Sequence, residues 1–406
     1  MTDRLSKDPV GGEAPGPGGD PQLGGGRIVA LSVATIVVVT MPVFLTGALA
    51  VQMRADLGFG LAALGLAVAL FRLAGFVLST PLGYLADRLG PSGSIRASAA
   101  TATLASLGIA VLATDFLTLS LFLLLAGAGS VLGQAGANLS VARAVRLTRQ
   151  GLAFGFKQAA LPLASLLSGL LVPAVGLTLG WRWAFGLAAA AGLAITIITP
   201  PANDRRFVQQ PDATNLAARR GPLLVLALGL MLGLGAASTL SAFTVDAAVS
   251  SGIEPAVAGL ILAAGSALSV TVRICMGWVA DRGTARPFLL VATFLAGGAV
   301  GYGLLALAQP VLFPIGAVLA FGLGWGFNGL FWYGVVRLNQ QTPGRVTGIV
   351  MPGGLLGGFL GPLAFGVLVE AAGYRVAWTA AALAALLGSG VMLLGRRLVL
   401  RELGRI

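Results

Sequence analysis

Three cations stand inside long apolar stretches of this chain: Arg72, Lys157 and Arg273. A charge at the centre of a bilayer costs roughly 2.5–3.5 kcal/mol on insertion scales, so it usually faces a cavity or a partner. Arg72 lies close to the middle of its stretch, too deep to reach an interface easily; it serves either a site or a structural bond to a carbonyl. Arg273 lies eight residues before Asp281, about 12 Å along a helix. It binds an anion in a cavity, or it turns toward Asp281 in a network between helices. Lys157 is six residues into its stretch, near enough to one surface for snorkelling to compete with a site. None of the fourteen carboxylates falls at the middle of an apolar stretch. Cations without a buried acid leave uncompensated positive charge, and the natural partner is an anion such as a carboxylate, an oxyanion or a phosphorylated compound.

Polar and aromatic residues gather in the same stretches. Gln134 and Asn138 are spaced i, i+4 and share one helix face, and Gln158 follows Lys157. Trp325, Asn328 and Trp332 form a stripe at i, i+3 and i+7, with Tyr333 beside it. These residues are candidates to orient a small anion, although such stripes also serve packing or interfacial anchoring. Enzyme chemistry finds no footing. The chain has no histidine, a single cysteine in an apolar run, and no Gly-Lys-Ser/Thr phosphate loop. No cofactor is expected, and a transport process here must draw on ion or substrate gradients.

The elements that position these residues follow from composition. The 406 residues are 57% apolar and 10% charged, with a mean hydropathy of +0.92; a soluble protein carries about a quarter charged residues. A helix crossing the hydrocarbon core needs roughly 20 apolar residues. Twelve such runs can be counted: Ile28–Val51, Gly60–Leu82, Arg96–Ala113, Phe116–Ala142, Leu152–Leu177, Ala184–Ile198, Pro222–Val245, Val257–Val279, Phe288–Leu307, Val311–Val336, Val346–Glu370 and Ala377–Leu394. The pattern predicts an all-α integral membrane protein. Its expected parts are a disordered tail (1–26), a six-helix half (27–199), a linker (200–221), a second six-helix half (222–398) and a short tail (399–406).

The net charge of +12 would suit nucleic acid in a soluble protein, but here the charges sit between apolar runs. With both termini cytoplasmic, 20 of the 26 basic residues fall on the inside and only Arg54, Arg182 and Arg375 outside, which satisfies the positive-inside rule. The expected location is a bacterial inner membrane, with the chain a multi-pass monomer in the lipid bilayer and no nucleic-acid partner.

One motif occurs twice. Gly83-Tyr84-Leu85-Ala86-Asp87-Arg88-Leu89-Gly90 ends the second run, and Gly277-Trp278-Val279-Ala280-Asp281-Arg282-Gly283 ends the eighth, 194 residues later. Gly180-Trp181-Arg182-Trp183-Ala184-Phe185 likewise parallels Gly373-Tyr374-Arg375-Val376-Ala377-Trp378 at an offset of 193. Gly83 and Gly277 would let a neighbouring helix pack closely. Asp87 and Asp281 can cap a helix N-terminus, and Arg88 and Arg282 can pair with carboxylates or terminal carbonyls. A plain topological anchor is the alternative.

On this motif, its repeat and the twelve runs, the chain resembles the major facilitator superfamily of secondary transporters over about residues 27–398. The resemblance implies two halves rocking about a central site, with Gly83, Asp87, Arg88 and Gly90 and then Gly277, Asp281 and Arg282 as an inner gate. The second copy lacks the final glycine. Arg72 and Arg273 are similar in placement to the intramembrane arginines of nitrate/nitrite porters, and Arg273 to that of oxalate/formate or monocarboxylate porters. The fifth run, however, reads Lys157-Gln158-Ala159-Ala160-Leu161-Pro162, without the glycine-rich asparagine motif of nitrate porters. The fourth lacks an arginine over Leu121 to Ala128, which weakens a drug:proton antiporter. The expected function is secondary transport of a small organic anion. The alternatives are a proton-coupled efflux pump for drugs or metabolites and a non-transporting sensor on the same fold.

Overall fold

The computed structural model describes residues 25–144, 150–200, 220–281, 286–338 and 343–402. Among them every regular element is helical. That is what a bilayer demands, because only a helix or a closed barrel satisfies its own backbone in hydrocarbon. In chain order the helices are α1 Gly25–Ala48, α2 Ala50–Leu57, α3 Leu61–Leu112, α4 Phe116–Ala144, α5 Gln150–Leu171, α6 Trp181–Ile198, α7 Arg220–Ser250, α8 Pro255–Asp281, α9 Pro287–Ala306, α10 Leu312–Leu319, α11 Asn328–Leu338 and α12 Pro343–Glu402. A π-helical segment, Val172–Gly176, extends α5, and another, Ala320–Trp325, joins α10 toward α11.

Ten stretches among the described residues are long and apolar enough to cross a membrane. Two of them exceed one crossing. The 52 residues of α3 would extend about 78 Å, against about 30 Å of hydrocarbon. Each long helix contains one non-helical residue: Gly90 in α3 (φ 68°, ψ 178°) and Gly373 in α12 (φ 82°, ψ 169°). That backbone region is open essentially to glycine alone, so both reversals depend on these residues. Gly180, paired with Gly373 by the sequence repeat, also has positive φ (96°). Gly58 and Gly252, 194 residues apart, do so as well (67° and 86°). The duplication is therefore visible in the backbone.

The parts before and after residues 201–219 meet along three seams. Helix α1 packs on α7 at Gly47, where a Cβ would collide with the Ser241 carbonyl. Helix α3 packs on α12 at Gly65, where it would collide with the Pro362 carbonyl. Helix α5 packs on α8 at Gly169, where a Cβ would stand 2.7 Å from the Gly259 carbonyl. These small residues bring backbones together, the main source of helix association when the solvent is itself hydrocarbon. The seams place Arg72, Lys157 and Arg273 at or beside the boundary between the two parts.

Candidate functional site

Arg72 lies on α3 and is half-buried. Its aliphatic stem comes against Gly358 of α12, and Ser238 of α7 borders the same spot. Its Nε has no hydrogen-bond partner. Ser238 is a site neighbour not selected from sequence, where it reads as one small hydroxyl among several; its hydroxyl donates to the Leu234 carbonyl of its own helix (2.7 Å).

Arg273 is more enclosed, at 1% exposure. Its Nη1 donates to the Gln158 carbonyl (2.6 Å) and its Nη2 to the Trp325 carbonyl (2.8 Å). Its guanidinium also lies 5.1 Å from the centre of the Trp325 ring, an arrangement favoured by the ring's negative face. Phe44 of α1 and Phe321 flank the same tryptophan at 5.9 and 5.7 Å. The structure thus joins Arg273, Gln158 and Trp325, three residues selected from sequence, in one cluster. Both Nη groups of Arg273 are directed at these carbonyls; the Asp281 side chain lies outside the described residues. Lys157, next to Gln158, is buried, as is Asn328 at the start of α11, whose Oδ1 has no partner.

The remaining candidates are spread out. Gln134 is half-buried and Asn138 exposed on α4. Tyr333 donates its hydroxyl to the Ala280 carbonyl at the end of α8 (2.6 Å), with Arg337 over its ring at 5.2 Å. Trp332 packs edge-on against Phe331 (5.4 Å). Both behave as packing residues between α11 and its neighbours. A cavity of about 220 Å³ between α7 and α12 is walled by residues such as Met231, Gly357 and Phe365 and includes none of the three cations.

At the Asp246 end of the bundle the structure adds a network that the sequence concealed. Asp246 of α7 is buried at 5% exposure, and it is the one buried carboxylate among the described side chains. Arg54 of α2 pairs with its Oδ2 (2.6 Å), and Tyr374 of α12 donates to its Oδ1 (2.5 Å). Nearby, the Glu370 carboxylate accepts the Ala62 amide at the start of α3 (2.8 Å), a capping bond at a helix N-terminus. Both Arg54–Asp246 and Ala62–Glu370 cross between the two parts of the chain. In sequence Asp246 and Arg54 read as boundary charges, 192 residues apart.

The opposite end differs. Asp87 and Arg88 are exposed, and a Cβ at Gly83 would meet open space. Tyr84 is 69% exposed. The α5/α8 seam is close there, with Gly155 against Gly277 and the Arg273 backbone. Asp281 ends α8, while Arg282 and the residues after it lie outside the described residues. Among the described residues the Asp246 network thus latches the two parts at its end, while Asp87 and Arg88 stand exposed at the other.

Comparison with known proteins agrees with this architecture. The fold is similar to a crystal structure of a bacterial homolog to the human lysosomal transporter Spinster, in an inward-facing and unoccupied conformation. The TM-score is 0.73 at 14% identity, covering 93% of this chain and 98% of that one. At that identity the likeness concerns the fold. No curated protein sequence matches the chain. The sequence description of the Major Facilitator Superfamily matches residues 31–351. A membrane bundle with a glycine-hinged internal repeat, closed at one end, and matched over most of its length by that description, belongs to the Major Facilitator Superfamily.

Proposed function

We propose that the protein is a secondary transporter that moves a small organic anion by alternating access. In this reading the chain crosses the membrane twelve times, with α3 and α12 each crossing twice about Gly90 and Gly373. Both termini are cytoplasmic, which supports an outer position for the Asp246 latch and an inner one for the Gly83–Gly90 turn. The described conformation then opens inward, and Asp87 and Arg88 engage only when the inner side closes.

The observation that carries the anion reading is Arg72. It stands at the boundary of the two halves with an unpartnered Nε, and among the described residues the one ion pair is Arg54–Asp246, at the far end. An arginine with free donors in a low-dielectric seam is a strong site for a carboxylate or phosphate. Lys157 adds positive charge, and Asn328 and Gln134 are available for orientation. The experiment is uptake by proteoliposomes across a panel of carboxylates and phosphorylated compounds. Arg72→Gln should lower transport of the preferred anion at least tenfold, and Arg72→Lys should retain part of it. Full transport of every carried anion by Arg72→Gln would overturn the anion site.

Proton-coupled efflux is the second reading, and one observation favours it: Asp246 is a buried acid. In that case Asp246→Asn abolishes transport driven by a pH gradient while leaving exchange of unlabelled for labelled substrate intact.

A further inference from the structure

Two helix faults meet one side chain. Proline has no N–H, so Pro162 in α5 cannot donate to the carbonyl four residues earlier, which is that of Gln158. In the α10–α11 span the helix widens into a π-helical segment that ends at Trp325, and α11 begins only at Asn328. Carbonyls released by such faults must find donors elsewhere when hydrocarbon surrounds them. Arg273 supplies one Nη group to each, at 2.6 and 2.8 Å. The two carbonyls lie on opposite parts of the chain, so the guanidinium bridges the boundary at the α5/α8 seam. The seam is continuous on both sides of it, through Gly155 against Gly277 and through a hydrogen bond from Ser266 to Ser165 (2.9 Å).

We propose that Arg273 is a positioning residue: it pins the faulted α5 to the faulted α10–α11 span and so fixes the α5/α8 seam about which the halves move. The role does not depend on what is transported. It also gives Arg273 a different part from Arg72, because two of its donors are committed to backbone. The planar fork of arginine reaches two carbonyls at fixed angles, whereas the single ammonium of lysine cannot reproduce both bonds.

Pro162→Ala provides the test, since it restores an N–H for the Gln158 carbonyl without touching Arg273. Thermal stability of the full chain in nanodiscs, free of substrate, is measured for wild type, Arg273→Gln, Pro162→Ala and the double variant. The tether predicts that Arg273→Gln lowers the Tm and that Pro162→Ala raises it by clearly more in the Arg273→Gln background than in wild type. Equal increments in the two backgrounds overturn it. If Arg273→Gln alone does not accumulate as folded protein, recovery by adding Pro162→Ala supports the tether, and failure to recover refutes it. Transport kinetics add a second readout: Arg273→Lys should change Vmax while KM stays within about twofold, whereas a rise in KM of about tenfold or more with Vmax unchanged marks a substrate ligand and overturns the proposal. The stability cycle contains no substrate, so its failure and the failure of the anion site at Arg72 are separate results.

Discussion

Asp246→Asn tests the latch directly. The substitution keeps the shape of the side chain and removes its charge. Of the two bonds to the carboxylate, the one from Tyr374 stays within the second part of the chain and orients Asp246; the one from Arg54 crosses between the parts and bears on closure. A hydrogen bond to a charged group contributes roughly 1.5–3 kcal/mol and a neutral one roughly 0.5–1.5. The Arg54 side chain is 27% exposed, so the lower end of the charged range applies; with a neutral bond of about 0.5 kcal/mol kept by the amide, the loss is about 1 kcal/mol, or about fivefold in the closed-to-open equilibrium at that end. Spin labels can follow this at Leu179 and Val311, which are 64% and 80% exposed on the two parts of the chain. Cys275, the one native cysteine and exposed, is first replaced by serine. Pulsed dipolar spectroscopy should then show a longer-distance population growing about fivefold in Asp246→Asn. Arg54→Gln should produce the same change, and the double variant should add little to either. An unchanged distance distribution, or additive effects of the two substitutions, would refute the latch.

Two further outcomes follow from local geometry. Arg182 donates to the Ala110 and Ala113 carbonyls at the end of α3 (3.1 and 2.8 Å) and stacks on Trp181 at 4.4 Å. Arg182→Gln should therefore destabilise the protein by about 1–2 kcal/mol, in thermal unfolding, through lost capping and cation–π contact, with substrate KM unchanged. Asp115 accepts the Thr118 amide and hydroxyl at the start of α4, both at 2.8 Å, and these bonds, the amide first, hold its carboxyl below the usual carboxylate range. A depressed folded pKa means that the stabilisation is present above the unfolded value and is lost as pH falls through the folded one. The Tm gap between wild type and Asp115→Ala should therefore close in acid; a gap that persists to the lowest pH at which the fold survives removes this cap from the account.

Much of the fold could be read from local signals because a bilayer leaves few options. Apolar runs separated by short polar turns specify helices. The repeat at 193 pairs Gly180 with Gly373, and both have positive φ. Helix boundaries blurred where a turn is so tight that the helical hydrogen-bond pattern continues through it, as at Gly90 and Gly373. Lys157 and Arg273 are buried and Arg72 half-buried, yet their neighbours were not legible. Asp246 reads as a boundary charge because its partners, Arg54 and Tyr374, lie 192 and 128 residues away.

By itself the sequence determined the class of molecule, its helical crossings, its duplication and the presence of cations without acids beside them. These depend on hydropathy and on glycine's freedom at positive φ, which are properties of short stretches. Tertiary structure alone decided which groups surround each arginine. Whether an arginine in hydrocarbon keeps a free donor or spends its donors on backbone depends on which carbonyls the packing brings within 3 Å. At Arg273 it brought two to the Nη groups, from helices that Pro162 and the π-helical segment had already interrupted, and left the Nε open; at Arg72 the Nε is open as well.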